Sequence, residues 1–303
     1  MARRCGARKQ WQAPKRSANA RQRNRNMGRA PMVTISNVWD RTTELLGDNL
    51  SAVAPVALVG LFVPYAISTA ITPLAAGDSG TRIVVNLCAL LLGIWIMGGG
   101  LAITALALRA PDERGSAVRT ALGRLLPMLG IAILLAIAAA LLLLPGFVML
   151  GLGGLDFRTG TAQAPNGAWM AFGALYFLLF VIFLCWASGR LLALNATVIA
   201  ERRGIGAIGR TFALTRGMGG RLFGVMLLYV IVSSVAQLAT RTVFGSIFAL
   251  IFGSDRGISV ASVLTAILVA MVGTIFFVLA SIFGAQLYLA TRGIPAPVDV
   301  APE

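Results

Sequence analysis

A chain of 303 residues that is 57% hydrophobic and only 12% charged lies outside the range of soluble domains, where about half of the residues are apolar and about a quarter charged. Its formal charge is +15 and it contains no histidine, which excludes Ser-His-Asp triads, HExxH zinc helices and haem ligation by His.

The charge is unevenly spread. Residues 1–31 hold ten Lys or Arg and no acid, whereas from Met32 onward sixteen Arg face eleven acids. Without hydrophobic periodicity and with strong like-charge repulsion, this leader is expected to be disordered. It is not a signal peptide, because no short apolar core and small-residue cleavage site follow it directly. Two readings stay open: a basic arm for nucleic acid or anionic headgroups, and, preferred, an upstream extension before a true start at Met32. No nucleic-acid partner is expected.

Past Met32 comes an amphipathic stretch. Ile35, Val38, Trp39, Thr42, Leu45 and Leu46 share one face, opposite Asn37, Asp40, Arg41, Glu44 and Asp48, so the spacing predicts a helix lying in the membrane interface. Six long apolar runs follow: Leu50–Thr72, Ile83–Leu108, Leu125–Leu152, Ala168–Leu194, Leu222–Phe252 and Ile258–Leu289. Each reaches the roughly 20 residues a helix needs to cross ~30 Å of hydrocarbon. The fold class is therefore all-α, a polytopic membrane protein with six transmembrane helices over residues 32–293 and a short tail at 294–303.

Orientation is written in the arginines. Arg109, Arg114, Arg119 and Arg124 lie between runs two and three, and Arg190, Arg202, Arg203, Arg210, Arg216 and Arg221 around the junction of runs four and five. The alternate loops hold one each, Arg82, Arg158 and Arg256. Lys and Arg are retained on the cytoplasmic side during insertion, so both termini and the Arg-rich segments are expected there, in a bacterial inner membrane. Arg241 interrupts run five twenty residues after Arg221, about 30 Å along a helix. It is expected to snorkel at the outer interface, with Thr242–Phe252 along or just inside that surface.

The Arg-rich segments also read as interfacial helices. After a Ser116 N-cap, Val118, Ala121, Leu122 and Leu125 repeat the apolar spacing, and Ile205, Ile208 and Phe212 do so more weakly. The chain thus divides into three copies of interfacial helix plus helical hairpin, with an Arg-Thr pair in each, Arg41-Thr42, Arg119-Thr120 and Arg210-Thr211; any six-crossing chain with its N-terminus inside divides into hairpins equally well. Close packing is expected at Gly93, Gly98, Gly99 and Gly100 in run two and at Gly273, Ala280 and Gly284 in run six. Asn86, Ser233, Ser234, Gln237 and Gln286 are the uncharged polar residues available for bonds between helices.

Catalytic chemistry is hard to place. Cys5, Cys88 and Cys185 are not at ligand spacing and read as small apolar residues or leader. The acids fall outside the apolar cores, Gly153-Gly154-Leu155-Asp156 has the wrong spacing for a GxGD protease, and no Walker loop exists. No enzyme activity, cofactor or metal is expected.

One segment stands out: Val198-Ile199-Ala200-Glu201-Arg202-Arg203-Gly204, then Ala207, Arg210-Thr211-Phe212-Ala213-Leu214-Thr215-Arg216-Gly217 and Arg221-Leu222-Phe223-Gly224. It resembles the cytoplasmic signature of the bacterial six-helix family labelled glycerophosphoryl diester phosphodiesterase membrane domain, together with related inner-membrane proteins. There a Glu and a Gly after the fourth helix precede an Arg-Ser/Thr helix ending in Leu-Thr-Arg-Gly, matched here by Glu201, Gly204, Arg210, Thr211, Leu214, Thr215, Arg216 and Gly217. As no soluble phosphodiesterase domain accompanies these residues, the resemblance implies a membrane fold and not the hydrolase activity. Two roles remain for the segment. Glu201 can be a surface partner of Arg202, Arg203 or Arg210, worth at most ~1 kcal/mol. Alternatively Arg210 and Arg216, with Glu201, contact anionic lipid headgroups or a partner's phosphate.

The leading expectation is a non-enzymatic scaffold or envelope and lipid-homeostasis factor that works through a basic cytoplasmic face. The alternative is a transporter or permease for a small or lipid-like substrate, since Gly- and Pro-interrupted helices can mark a midplane site. A cavity lined by Asn86, Gln237, Gln286 and Ser233-Ser234 would favour transport; a bundle closed by small residues would favour the scaffold.

Overall fold

A computed structural model of the chain describes residues 35–108, 114–157, 161–162, 166–201, 204–253 and 259–292. The basic leader, the tail and Arg109, Arg158, Arg202, Arg203 and Arg256 lie outside the described residues. Six helical segments are long and apolar enough to cross a membrane: Leu50–Ala76, Ser79–Leu108, Gly115–Leu152, Gly167–Glu201, Gly219–Phe252 and Val260–Arg292. All six coincide with the apolar runs, extended by a few residues at their ends.

The first segment is preceded by α1 (Ile35–Asp48), which buries Val38 and Thr42 and leaves Trp39 49% exposed, as an interfacial amphipathic helix should. The crossing itself is broken into α2 (Leu50–Ala57), a π-helical turn (Leu58–Phe62), α3 (Val63–Ile71) and a 3₁₀ turn (Thr72–Ala76). Proline accounts for the wide turn: Pro64 has no N–H to give the Gly60 carbonyl, its α-helical partner. The second span, α4 (Ser79–Leu108), starts on Asp78, whose Oδ2 accepts from Gly80 N at 3.1 Å and Thr81 N at 3.4 Å.

Two sequence expectations fail next. The stretch after Ser116 is not a separate interfacial helix, because α5 runs unbroken from Arg114 to Leu152. Nothing there stops a helix: Pro127 lies more than three turns inside, and the residues before it are mostly Arg, Leu and Ala, which are good helix formers. The three-copy division therefore holds for two copies only. Likewise α9 (Gly219–Phe252) continues straight through Arg241 for 34 residues, so Thr242–Phe252 extends the crossing helix and is no separate surface segment. Between these lie a two-residue hairpin pairing, β1 (Leu155–Asp156) with β2 (Thr161–Ala162), then α6 (Gly167–Leu191), α7 (Leu194–Glu201) and α8 (Gly206–Leu214). The last span is α10 (Val260–Arg292).

Helix α10 is the centre of the bundle, packing on α1, α3, α4, α7 and α9. Its C-terminal half is buried from Ser281 to Leu289 without a break, whereas the outward faces of α5, α6 and α9 display Leu, Ile, Val and Phe to the surroundings. That inside-out pattern is the one a lipid solvent permits. Glycines set the closest approaches. A Cβ on Gly60 would come within 3.0 Å of the Gly99 Cα, one on Gly100 within 2.8 Å of the Phe277 ring, and one on Gly284 would overlap the Leu192 carbonyl. Gly93, expected in the same role, has nothing within 4 Å.

Candidate functional site

One end of the bundle gathers α1, the start of α5, the short helices α7 and α8 and the end of α10, and with them most of the described arginines. Helix α7 is nearly all buried, from Leu194 through Ile199, and it ends on Glu201. A carboxylate at a helix C-terminus meets the negative end of the dipole, so it needs cationic partners. It has them: Glu201 Oε1 accepts from Arg210 Nε of α8 at 3.2 Å, from Arg292 Nη2 of α10 at 2.9 Å and from the Tyr288 hydroxyl at 3.4 Å. The Glu201 side chain is 7% exposed, against 38% for Arg210 and 34% for Arg292. This is a buried acceptor clamped by two half-exposed donors, not a surface pair. Arg292 also sits 5.3 Å over the Tyr288 ring.

A second arginine is structural in the same way. Arg190, in the last turn of α6, lies 5.3 Å from the Trp186 ring and 5.7 Å from the Phe212 ring. Its Nη1 donates to the Phe212 carbonyl at 3.3 Å and to Thr215 Oγ1 at 3.4 Å, which are the groups closing α8. Buried threonines finish this corner: Thr211 Oγ1 donates to the Ala207 carbonyl at 2.8 Å and lies 3.3 Å from Thr197 Oγ1. Helix α8 is thus folded against the bundle by Glu201, Arg210, Arg190, Thr211 and Thr215.

Arg216 stands apart from this cluster. It follows α8 in the turn closed by Gly217, whose φ of +87° is the left-handed conformation a glycine takes most easily. Arg216 and Arg221, at the start of α9, are both exposed and make no hydrogen bond or ion pair among the described residues. Below Arg221, at helical spacing, come Val225, Leu228, Tyr229 and Val232, which line an apolar groove of about 460 Å³ closed by Trp39 of α1 and by Phe276 and Phe283 of α10. A cation above an apolar trough is the arrangement that an acyl chain with an anionic head fits. Sequence analysis missed Arg221 as part of a site; its i+4, i+7, i+8 and i+11 stripe was the available signal.

Among the described residues the polar side chains of the spans are scattered. Gln237 accepts from the Tyr65 hydroxyl at 3.1 Å, Ser233 donates to the Val230 carbonyl at 3.2 Å, Asn86 and Ser234 are exposed, and Gln286 is buried with neither amide atom bonded. A further apolar cleft of about 880 Å³, between α2, α4 and the start of α5, is lined by Trp95, Val118, Ala121 and Leu122 among others. Among the described residues no three His, Cys, Asp or Glu side chains gather as metal ligands.

Comparison with protein-family models, curated proteins and solved structures finds no match to this chain.

Proposed function

We propose that the chain is a non-catalytic multi-pass protein of the bacterial inner membrane, a scaffold or lipid-homeostasis factor whose arginine-rich end faces the cytoplasm and holds anionic phospholipid. The observation that carries the reading is the unpaired Arg221 guanidinium above the apolar groove of α1, α9 and α10, with Arg216 five residues before it. Each basic group near a membrane surface contributes about 1 kcal/mol towards anionic lipid. Arg210 and Glu201 serve this face indirectly, because their pairing fixes α8 and the turn that presents Arg216.

A scaffold is favoured over a transporter by the packing. Asn86, Ser233, Ser234, Gln237 and Gln286 line neither the groove of α1, α9 and α10 nor the cleft of α2, α4 and α5, and Gly60, Gly99, Gly100 and Gly284 bring the helices together.

Native mass spectrometry of the purified protein tests the lipid role. Arg216→Gln with Arg221→Gln is expected to lower retention of phosphatidylglycerol about tenfold while leaving phosphatidylcholine unchanged, two charge-assisted contacts being removed. Arg82→Gln at the other end is the control. Equal loss in the control, or no loss in the double variant, would overturn the proposal.

A further inference from the structure

At the end opposite the arginine-rich cluster, α3, α9 and α10 enclose a second and very different cavity, of about 680 Å³. Its wall carries one cation, Arg241, the Tyr65 phenol and six Ser or Thr hydroxyls, Ser68, Thr69, Thr72, Ser259, Ser262 and Thr265. None of its described lining residues is acidic. Arg241 is exposed and makes no hydrogen bond or ion pair among the described residues.

Most of these hydroxyl protons are already used. Thr69 donates to the Tyr65 carbonyl at 2.9 Å, Thr72 to the Ser68 carbonyl at 2.8 Å, Thr265 to the Ala261 carbonyl at 2.7 Å and Ser262 to the Ser259 carbonyl at 2.8 Å. A hydroxyl that donates to its own helix keeps its lone pairs. Ser262 Oγ and Ser259 Oγ each already accept a backbone N–H, at 2.9 and 3.1 Å, so the wall offers one strong anion-binding fork, Arg241, beside the acceptor oxygens of Thr69, Thr72 and Thr265 above all. Inorganic phosphate would fill the fork with only its own P–OH protons left for the oxygens, whereas an apolar guest would leave both unmet.

We infer that this cavity binds a phosphate ester whose alcohol carries hydrogen-bond donors, such as an ethanolamine ammonium or glycerol hydroxyls. Arg241 takes the phosphate oxygens bidentately, the geometry in which a guanidinium fits them, and the threonine and serine oxygens accept from the substituent. Twenty residues, about 30 Å, separate Arg221 from Arg241 along α9, so the cavity lies towards the end of the bundle away from Arg221, with α9 continuing past it to Phe252. The ester can come from a phospholipid head or from a soluble metabolite of the same chemistry.

The test uses full-length protein freed of lipid in detergent. Native mass spectrometry should find phosphatidylethanolamine, which is not the anionic lipid assigned to the groove below Arg221, retained over phosphatidylcholine, whose head has no donor. Arg241→Gln should lower that retention about tenfold and Arg241→Lys less, a point charge replacing the fork. Thr69→Val with Thr265→Val, close in shape, should abolish the preference over choline while phosphate binding stays. Displacement of the retained lipid by millimolar phosphoethanolamine assigns the site to a soluble ester, and resistance to it assigns the site to lipid. Unchanged retention in a folded, monodisperse Arg241→Gln protein, or choline lipid bound as tightly as ethanolamine lipid by the unaltered protein, overturns the inference.

Discussion

Glu201 and Arg292 are 91 residues apart in sequence, yet Oε1 of one lies 2.9 Å from Nη2 of the other. The contact ties the C-terminus of the buried helix α7 to the last turn of α10, and through Arg210 it also fixes α8. It makes the arginine-rich end a set of fixed donors with a few free cations between them.

Glu201→Ala removes the acceptor shared by both arginines and the Tyr288 hydroxyl. Breaking a fully buried pair costs ~3–5 kcal/mol, but both guanidinium groups here are about a third exposed and recover water. A loss of about 1–3 kcal/mol is expected, read as a lower melting temperature in detergent. Glu201→Gln keeps an oxygen for Tyr288 and should cost less. Equal stability of the three proteins would show that the clamp does not hold α8.

The Gly99 contact gives a second prediction with its own control on the same helix. A Cβ at Gly99 would run into the Gly60 carbonyl, while one at Gly93 meets nothing within 4 Å. Gly99→Ala should therefore force the π-helical turn of the first crossing and α4 apart and destabilise by roughly 1–3 kcal/mol. Gly93→Ala should be neutral or slightly stabilising, since alanine is the better helix former. The comparison is made by thermal unfolding of the two variants side by side.

Most of the fold was legible because a helix in lipid must be apolar over its whole crossing, a signal that needs no tertiary knowledge. Where one helix stops and the next begins was harder. Nothing in the composition around Ser116 marks α5 as continuous with its crossing, and nothing before Leu192 announces the turn that places α7 under α10. The Glu201 cluster depends on Arg292 and Tyr288, far off in sequence, and no period links them. One clue was present: Glu201 is the sole acid between Asp156 and Asp255, amid eight arginines. The sequence pattern singled out Arg210 and Arg216 together, whereas the structure separates them into a paired and an unpaired residue.

Asp78 supplies a pH dependence. The Thr81 hydroxyl and then the Thr81 and Gly80 amides donate to its carboxylate, holding its pKa below the ordinary value of 3.8. The folded state binds this proton more weakly than the unfolded chain does. Its contribution is thus complete above the unfolded value and is lost as pH falls through the lower folded one. Amide exchange in the first turn of α4 should quicken as pH is taken from about 5 to about 3, beyond the intrinsic trend. In Asp78→Asn, which caps without a charge, that excess acceleration should vanish; its persistence would assign the effect to another group.

Sidedness follows from the same arginines that build the site. Positive residues resist translocation, and the end holding Arg119, Arg190, Arg210, Arg216, Arg221 and Arg292 carries most of the described basic charge. That end should face the cytoplasm. In a protein with Cys5, Cys88 and Cys185 replaced by Ala, single cysteines at Gly206 and Ser79, both exposed, report the two ends. A membrane-impermeant maleimide added to intact cells should label Ser79→Cys and leave Gly206→Cys unlabelled until the membrane is opened. The reverse pattern would invert the orientation, and labelling of both positions from outside would overturn the alternation of the six crossings.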